Sequence, residues 1–162
     1  MKTVTILGST GSVGRSTVDL ICSQRESFPV RALTAHSNVK LLAEQARSLQ
    51  AEYAVIADES LYTDLKQALA GTQAKVEAGH QAVVAAAQLP ADWIMASIVG
   101  AAGISATMQA VQQGTVVAIA NKASLVCAGQ FIMAAAKEHG TVLLPVDSEH
   151  NAIFQVFNAA QK

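Results

Sequence analysis

Short apolar segments alternate with longer amphipathic ones along the chain. The apolar segments have the length and composition of buried strands, and they are residues 4–7, 30–34, 53–56, 93–98, 116–120 and 142–146. The segments between them have apolar residues at helical spacing, and they are residues 16–23, 39–49, 60–69, 81–87, 104–113 and 125–138. This alternation predicts an α/β fold of the Rossmann type, a doubly wound, mostly parallel sheet with helices on both faces. Ligands of such sheets bind at the carboxyl ends of the strands.

The length and the last segments predict one complete domain and the start of another. A chain of 162 residues buries enough surface for one stable domain. Residues 149–158 resemble a further helix and no strand-like segment follows them. We therefore place a boundary near Pro145, with one domain at 1–145 and the truncated start of a second at 146–162.

Composition and charge exclude several classes of protein. Hydrophobic residues make up 51% of the chain, charged residues 14%, and the formal net charge is −1. Such a chain suits a buried sheet and lacks the clustered basic residues of a nucleic-acid-binding protein. No apolar segment reaches the roughly 20 residues of a membrane span, and the amino terminus does not resemble a signal peptide. We expect a cytoplasmic protein that binds neither nucleic acid nor membranes.

Two groups of residues are expected to have structural roles. The expected core residues are the two cysteines, the tryptophan and three methionines: Cys22, Cys127, Trp93, Met95, Met108 and Met133. Three histidines are expected to be structural or exposed: His80, His139 and His150.

A glycine-rich turn follows the first predicted strand. Residues 8–14 read GSTGSVG and lead into the first predicted helix. Absent Cβ atoms at Gly8 and Gly11 let a backbone approach a pyrophosphate, and the free amides and dipole of the helix stabilise its charge. Hydroxyl groups at Thr10 and Ser12 can add hydrogen bonds. A merely structural tight turn is the alternative, but the position after the first strand favours a dinucleotide.

The end of the second predicted strand favours NADP(H) over NAD. A carboxylate at this position accepts the ribose 2′-hydroxyl of NAD and repels the 2′-phosphate of NADP. Residues 28–42 contain no Asp or Glu, and the strand end offers His36, Ser37 and Asn38 as polar donors. An exposed loop histidine without a ligand is the alternative interpretation of His36.

Polar residues also follow the last two predicted strands. Asn121 and Lys122 follow one, and Asp147, Ser148 and Glu149 follow the other. Asp147 and Glu149 are two residues apart, so both carboxylates can face one cavity and bind a hard divalent cation if the backbone is extended. A helix cap formed by Asp147 or Ser148, with Glu149 favouring the helix dipole, fits the spacing equally well.

These motifs together resemble the 1-deoxy-D-xylulose 5-phosphate reductoisomerase family, the NADPH-dependent enzymes of the non-mevalonate isoprenoid pathway. Residues 8–14 look like its cofactor loop, residues 98–103 (IVGAAG) like its central glycine turn, and residues 120–122 (ANK) like its nicotinamide-side turn. Residues 145–155 (PVDSEHNAIFQ) are similar to its metal and substrate segment. The similarity runs in order along the whole chain.

The resemblance implies a cofactor, a metal, a substrate and roles for residues. The expected reaction is a metal-assisted rearrangement of a small phosphorylated sugar, 1-deoxy-D-xylulose 5-phosphate, to an aldehyde, which NADPH reduces to 2-C-methyl-D-erythritol 4-phosphate. The implied metal ligands are Asp147 and Glu149, with magnesium or manganese bound, and cobalt as a third candidate. The implied catalytic and substrate-binding residues are Lys122, Ser148 and Glu149. The implied cofactor contacts are Gly8, Thr10, Gly11, Ser12, Val13, His36, Ser37, Asn38 and Asn121. Proteins of the family's full length are expected to be homodimers.

Three departures from the family pattern affect these expectations. Ala123 replaces a glutamate near the nicotinamide and substrate, and this removes a helix-dipole interaction worth about 0.3–1 kcal/mol. At residues 36–38 the family often has glycine and lysine, so selection of the 2′-phosphate rests on weaker donors. The family's third metal carboxylate, its phosphate pocket and its carboxy-terminal helical domain would lie beyond Lys162. We therefore expect this chain alone to bind cofactor without turnover.

Two other functions also fit the sequence. The glycine-rich turn also suits another NADP-dependent dehydrogenase, such as a semialdehyde dehydrogenase, although residues 145–155 argue against it. The short length and Ala123 also permit a non-catalytic nucleotide-binding module. Metal-dependent substrate binding distinguishes the reductoisomerase from such a module.

Overall fold

Parallel strands and surrounding helices make up the part of the chain that the computed structural model describes, residues 1–146. The strands are β1 (Val4–Leu7), β2 (Val30–Ala35), β3 (Tyr53–Ile56), β4 (Lys75–Ala78), β5 (Trp93–Ala96), β6 (Val116–Ile119) and β7 (Val142–Pro145). The helices are α1 (Ser12–Cys22), α2 (Val39–Leu49), α3 (Tyr62–Ala68), α4 (His80–Ala86), α5 (Ile104–Val111) and α6 (Lys122–His139). Short 3-10 helices cover Glu59–Leu61 and Ala101–Gly103.

All seven strands of this described part form one sheet in the order β4-β3-β2-β1-β5-β6-β7, and each pairs in parallel with its neighbours. The chain runs outward from β1 to β4, returns to β5 beside β1, and runs outward again to β7. Right-handed crossovers in opposite directions must cover opposite faces of a sheet. Accordingly, α1, α2 and α3 pack on one face, and α4, α5 and α6 pack on the other. The predicted Rossmann-type α/β fold is confirmed.

Both faces of the sheet are buried, so most positions of the central strands are apolar, with Thr5 in β1 and Arg31 and Thr34 in β2 as exceptions. In β1, Ile6 belongs to the core under α1 to α3, and the next residue, Leu7, belongs to the core under α4 to α6. Because successive side chains of a strand point to opposite faces, a strand between two helical layers needs a continuous apolar run. This explains why the sequence pattern locates β1 and β3 at their observed bounds.

The structure differs from the predicted elements at the sheet edge and at two helix starts. The strand β4 was not predicted, because its residues alternate between exposed and half-buried at the edge of the sheet and include Lys75 and Glu77. The helices α1 and α6 begin at Ser12 and Lys122, before the predicted starts at residues 16 and 125. Their first turns face the carboxyl edge of the sheet and carry few apolar residues, so apolar spacing does not reveal them.

Some expected core residues lie at the surface. Both Cys22 and Cys127 are exposed, which corrects the expectation of buried thiols. Met133 is 59% exposed on α6, where Phe131 is also exposed, whereas Met95 is buried. The α6 helix buries a stripe of mostly small residues against the sheet, and its outer face is also apolar, so apolar neighbours in sequence do not identify the buried side.

Within residues 1–146, no helix combines the length and the hydropathy that crossing a membrane requires.

Candidate functional site

The turn between β1 and α1 needs glycine at both of its ends. Gly8 has φ +84°, and a Cβ there would lie 2.9 Å from the Ser97 carbonyl oxygen at the end of β5. A Cβ on Gly14 would lie 2.1 Å from the Gly8 carbonyl oxygen. Neither position can hold a side chain without moving backbone atoms. The turn is therefore packed tightly against β5 on one side and against its own helix on the other.

Polar groups from β2 and α2 hold this turn in place. The Gly8 amide donates to Thr34 Oγ1 over 2.9 Å, and the Ser9 amide donates to the Thr34 carbonyl over 2.8 Å. The Gln45 side chain donates from Nε2 to the Ser9 carbonyl over 3.0 Å. Ser9 and Thr34 are buried, so these bonds form away from competing water. The turn is thus fixed in position before any ligand binds.

The start of α1 has no side-chain cap. Its N-cap residue is Gly11, no side chain accepts from its first amides, and its first turn contains no acidic residue. By contrast, Asn38 caps α2 by accepting from the Leu41 amide over 3.1 Å. A Cβ on Gly11 would meet only the Gly8 carbonyl, at 3.6 Å, so protein packing does not require glycine there. The missing side chain leaves the positive end of the helix open to an anion.

This helix start opens onto a cavity of about 330 Å³ at the carboxyl edge of the sheet. The lining residues come from the ends of β1, β2, β3, β4 and β5, and they are Gly8, Thr10, Gly11, Thr34, Ala35, His36, Ala57, His80, Val83, Ser97, Ile98, Val99 and Ala102. An apolar slot with a few polar groups around an anion-binding turn suits a nucleotide with its phosphates. A larger concavity of about 550 Å³ lies at the opposite edge, but its Arg47 is committed to the Ala68 and Ala70 carbonyls.

The fold brings an acidic residue next to His36. Residues 28–42 contain no acid, but the Asp58 amide, after β3, donates to the His36 carbonyl over 3.0 Å. Hydrogen bonds from the Ser60 hydroxyl and amide, together with attraction to His36, hold the pKa of the Asp58 carboxyl below its ordinary value. This carboxylate caps the short 3-10 helix and is not part of the cavity lining. The site therefore has negative charge close to its β2 end.

The structure places eight of the nine predicted cofactor residues in three groups. Four of them line the cavity: Gly8, Thr10, Gly11 and His36. Ser12 and Val13 form the first turn of α1, next to the cavity. Ser37 and Asn38 follow β2, where the side chain of Asn38 is used to cap α2.

Asn121 is buried at the start of α6, outside the cavity lining. Its Nδ2 donates to the Gly100 carbonyl over 2.7 Å and to Ser124 Oγ over 2.9 Å. Its Oδ1 accepts from the Ala123 amide over 3.0 Å and caps the helix. The side chain thus joins the turn after β5 to the start of α6. Lys122 is exposed beside it, in the first turn of the helix.

The predicted metal residues, Asp147 and Glu149, and the predicted substrate residue Ser148 lie outside the described residues. Within residues 1–146, no three His, Cys, Asp or Glu side chains come together in a way that could hold a metal ion.

Sequence reasoning missed four residues that shape the site: Thr34, Gln45, Ser97 and His80. Thr34 and Gln45 are buried polar residues within apolar patterns, and this was the signal that could have found them. Ser97 donates from Oγ to the Leu7 carbonyl over 2.7 Å and ties β5 to β1. His80 follows β4. Because the sequence pattern does not predict β4, it does not place His80 at the carboxyl edge of the sheet.

Comparison with known proteins gives consistent matches along the chain. Residues 4–129 match the family model described as 1-deoxy-D-xylulose 5-phosphate reductoisomerase. The reductoisomerase of Rhodospirillum centenum is 57% identical over 162 residues, which are 100% of this chain and 40% of that protein. The chain thus spans about 40% of the length of such relatives.

Solved structures extend the similarity to the fold. The reductoisomerase from Zymomonas mobilis in complex with NADPH superposes with a TM-score of 0.97 and 56% identity, over 99% of this chain and 42% of that one. A reductoisomerase in complex with NADPH, fosmidomycin and magnesium superposes with a TM-score of 0.93 and 37% identity, over 99% of this chain and 40% of that one. A putative homoserine dehydrogenase from Archaeoglobus fulgidus superposes with a TM-score of 0.57 and 22% identity, over 90% of this chain and 42% of that one. At this identity the similarity shows only a shared fold.

Proposed function

The chain belongs to the 1-deoxy-D-xylulose 5-phosphate reductoisomerase family, and from this we propose that it binds NADPH within an enzyme that isomerises and reduces 1-deoxy-D-xylulose 5-phosphate. The observation that carries the proposal is the uncapped start of α1, which opens with Gly11 onto the cavity at the carboxyl edge. Relatives in complex with NADPH support it. The complete activity is proposed for a protein of the relatives' length, and cofactor binding for the 162 residues themselves.

The turn residues fit a dinucleotide diphosphate. Gly11 keeps the backbone free of a side chain where the diphosphate must approach, and Gly8 and Gly14 allow the tight turn that presents it. The first amides of α1 donate to the diphosphate oxygens. Thr10 and Ser12 add hydroxyl donors, and Val13 supplies a further first-turn amide. Because Thr34 and Gln45 fix this turn in the free protein, little ordering is required on binding.

We assign the two halves of the cofactor from the strand order. His36, Ser37 and Asn38 lie on the β2 side of the turn, where the adenosine of a dinucleotide extends in this fold. The turn after β5 lies on the other side, toward the nicotinamide. Asn121 fixes that turn through the Gly100 carbonyl, so we propose that it acts on the cofactor mainly by positioning it.

For the remaining chemistry we propose Lys122, Ser148 and Glu149 as substrate contacts and Asp147 and Glu149 as ligands of magnesium or manganese, with residues 146–162 beginning the catalytic domain. When bound, NADPH supplies the hydride and the divalent cation polarises the substrate oxygens. The ammonium group of Lys122, exposed at the start of α6, is available to an anionic substrate. The proposed setting is a cytoplasmic homodimer of the relatives' length.

Titration of the protein with NADPH and NADH, followed by nicotinamide fluorescence, tests the cofactor site. We expect tighter binding of NADPH, and equal affinity for the two would contradict the assignment to NADPH. No binding of either would overturn the proposed function.

A second titration tests the metal and substrate part. In a protein of the relatives' length, we expect binding of 1-deoxy-D-xylulose 5-phosphate to require Mg²⁺ and to be weakened by Glu149→Gln but not by Glu138→Gln, a matched change on the last turn of α6. Metal-independent binding would argue against the proposed ligands. Substrate-dependent oxidation of NADPH by the 162 residues alone would contradict our expectation that they do not turn over.

A further inference from the structure

The cofactor cavity has only two chargeable side chains among its described lining residues, His36 and His80. The other lining residues are glycine, alanine, valine, isoleucine, serine and threonine, and no lysine or arginine of the described chain lines it. A site for a dianionic phosphate ordinarily supplies a cation. Among the described lining residues, only the two imidazoles can supply it.

Both imidazoles lie at the same end of the cavity. Along the carboxyl edge the lining residues follow the strand order, with His80 after β4, Ala57 after β3, His36 after β2 and Gly8 after β1. A dinucleotide whose diphosphate lies at the Gly8 turn directs its adenosine half toward β2 and β3. The two histidines therefore flank the adenosine end, where NADPH carries its 2′-phosphate.

The fixed charges around this end are mostly negative. Asp58 follows β3 beside His36, and the Glu59 side chain lies against Gly79, where an added Cβ would be 2.6 Å from Oε1. Lys40, in the first turn of α2, is the nearby cation in the sequence after β2. With both imidazoles neutral, the two carboxylates oppose a phosphate. Protonation of both imidazoles makes the charge around this end favourable for a phosphate.

We propose that His80, together with His36, is a specificity-determining residue that binds the 2′-phosphate of NADPH in its protonated form. This rests on the proposed binding of NADPH in the same cavity. An imidazolium donates charge-assisted hydrogen bonds to phosphate oxygens, and a neutral imidazole does not supply the charge. Binding of NADPH therefore takes up protons, and its affinity falls as pH rises through the range in which histidines titrate. NADH has no 2′-phosphate and does not share this dependence.

The test is a set of dissociation constants for NADPH and NADH between about pH 6.5 and about pH 8.5, a range in which a phosphate monoester is mostly dianionic. We expect the NADPH dissociation constant to rise about tenfold across this range and that of NADH to change little. Calorimetry in two buffers with different ionisation enthalpies measures the proton uptake directly. We expect uptake with NADPH that exceeds uptake with NADH.

Substitutions of single histidines show which residues cause the pH dependence of NADPH binding. We expect His80→Gln to reduce the pH dependence of NADPH binding, and the double variant His36→Gln/His80→Gln to abolish it. His139→Gln, an exposed histidine in the last turn of α6, is the matched control and should behave like the unchanged protein. Because His36 and His80 are exposed, these variants should fold normally.

The outcomes separate the two proposals. Binding of NADPH that is independent of pH, or a full pH dependence in His80→Gln, overturns the role of His80 and leaves the cofactor site intact. Failure to bind either cofactor at any pH overturns the proposed function and this inference with it.

Discussion

Gln45 Nε2 donates to the Ser9 carbonyl over 3.0 Å, between residues that are 36 positions apart in sequence. Both residues are buried, and Ser9 lies in the middle of the glycine-rich turn. The turn that is proposed to bind the cofactor is thus fixed by a helix of the next βα unit. Substitutions that remove the Gln45 amide should therefore also weaken cofactor binding.

We predict that Gln45→Leu lowers the free energy of unfolding by about 1–2 kcal/mol, because the Ser9 carbonyl loses its buried donor. Removal of the Gln45 Oε1 atom, which is buried without a partner in the described part of the chain, offsets some of the loss. NADPH affinity should also fall. Urea unfolding and a cofactor titration measure the two effects. Gln67→Leu, an exposed glutamine on α3, is the control, and equal effects of the two changes would contradict the role of Gln45.

Gly14→Ala should disrupt the site strongly. The added Cβ would lie 2.1 Å from the Gly8 carbonyl oxygen, so the turn must move, and we expect destabilisation by about 1–3 kcal/mol with loss of NADPH binding. The control is Gly129→Ala on α6, where a Cβ would meet no atom within 4 Å. That change should stabilise the protein by about 0.5–1 kcal/mol, since alanine favours helices. Thermal unfolding of both variants measures these opposite changes in stability. A Gly14→Ala protein as stable as the unchanged protein would refute the prediction.

Gly11→Ala should separate binding from folding. The position has φ −75°, and an added Cβ meets the Gly8 carbonyl oxygen at 3.6 Å, an ordinary contact. We expect a stability within about 0.5 kcal/mol of the unchanged protein. The methyl group would cover the start of α1, so NADPH should bind more weakly. Unchanged affinity would mean that the diphosphate does not approach the backbone at this residue.

The pair of Thr3 and Asp92 should make stability depend on pH. Asp92 Oδ2 accepts from the Thr3 amide over 2.7 Å and from its hydroxyl over 2.8 Å, and these bonds hold the pKa of the Asp92 carboxyl below its ordinary value. A lowered folded-state pKa stabilises the protein above the unfolded value and loses this effect as pH falls toward the folded value. Asp92→Asn should therefore lower the free energy of unfolding at neutral pH and have a diminishing effect below about pH 4.

Urea unfolding at a series of pH values measures this difference. Thr3→Val removes the two hydrogen bonds of the hydroxyl, its donation to Asp92 Oδ2 and its acceptance from the Asp92 amide, but keeps the bond from the Thr3 amide. It should give a smaller effect in the same direction. A difference between Asp92→Asn and the unchanged protein that stays constant down to the acid range would show that the hydrogen-bonded charge does not contribute.

The sequence predicted the central strands and the glycine turn because each has a strong local cause. A strand with two buried faces is mostly apolar on both of them, as Ile6 and Leu7 show. Gly8 and Gly14 mark a turn that no other residue can form. These signals are contained in a few consecutive residues.

The remaining features depend on residues that are distant in sequence. The edge strand β4 has no continuous apolar run, and its absence from the predicted elements concealed His80. The proximity of Asp58 to His36 arises from the pairing of β3 with β2 and not from any motif. The exposure of Cys127 and Met133 follows from which side of α6 meets the sheet.

The hydrogen bond from Asn121 to Gly100 also has a mechanical meaning. The α6 helix cannot shift along its axis without moving the turn whose neighbours, Val99 and Ala102, form a wall of the cavity. A partner that binds the outer side of α6 and shifts the helix would therefore also move this wall of the cavity.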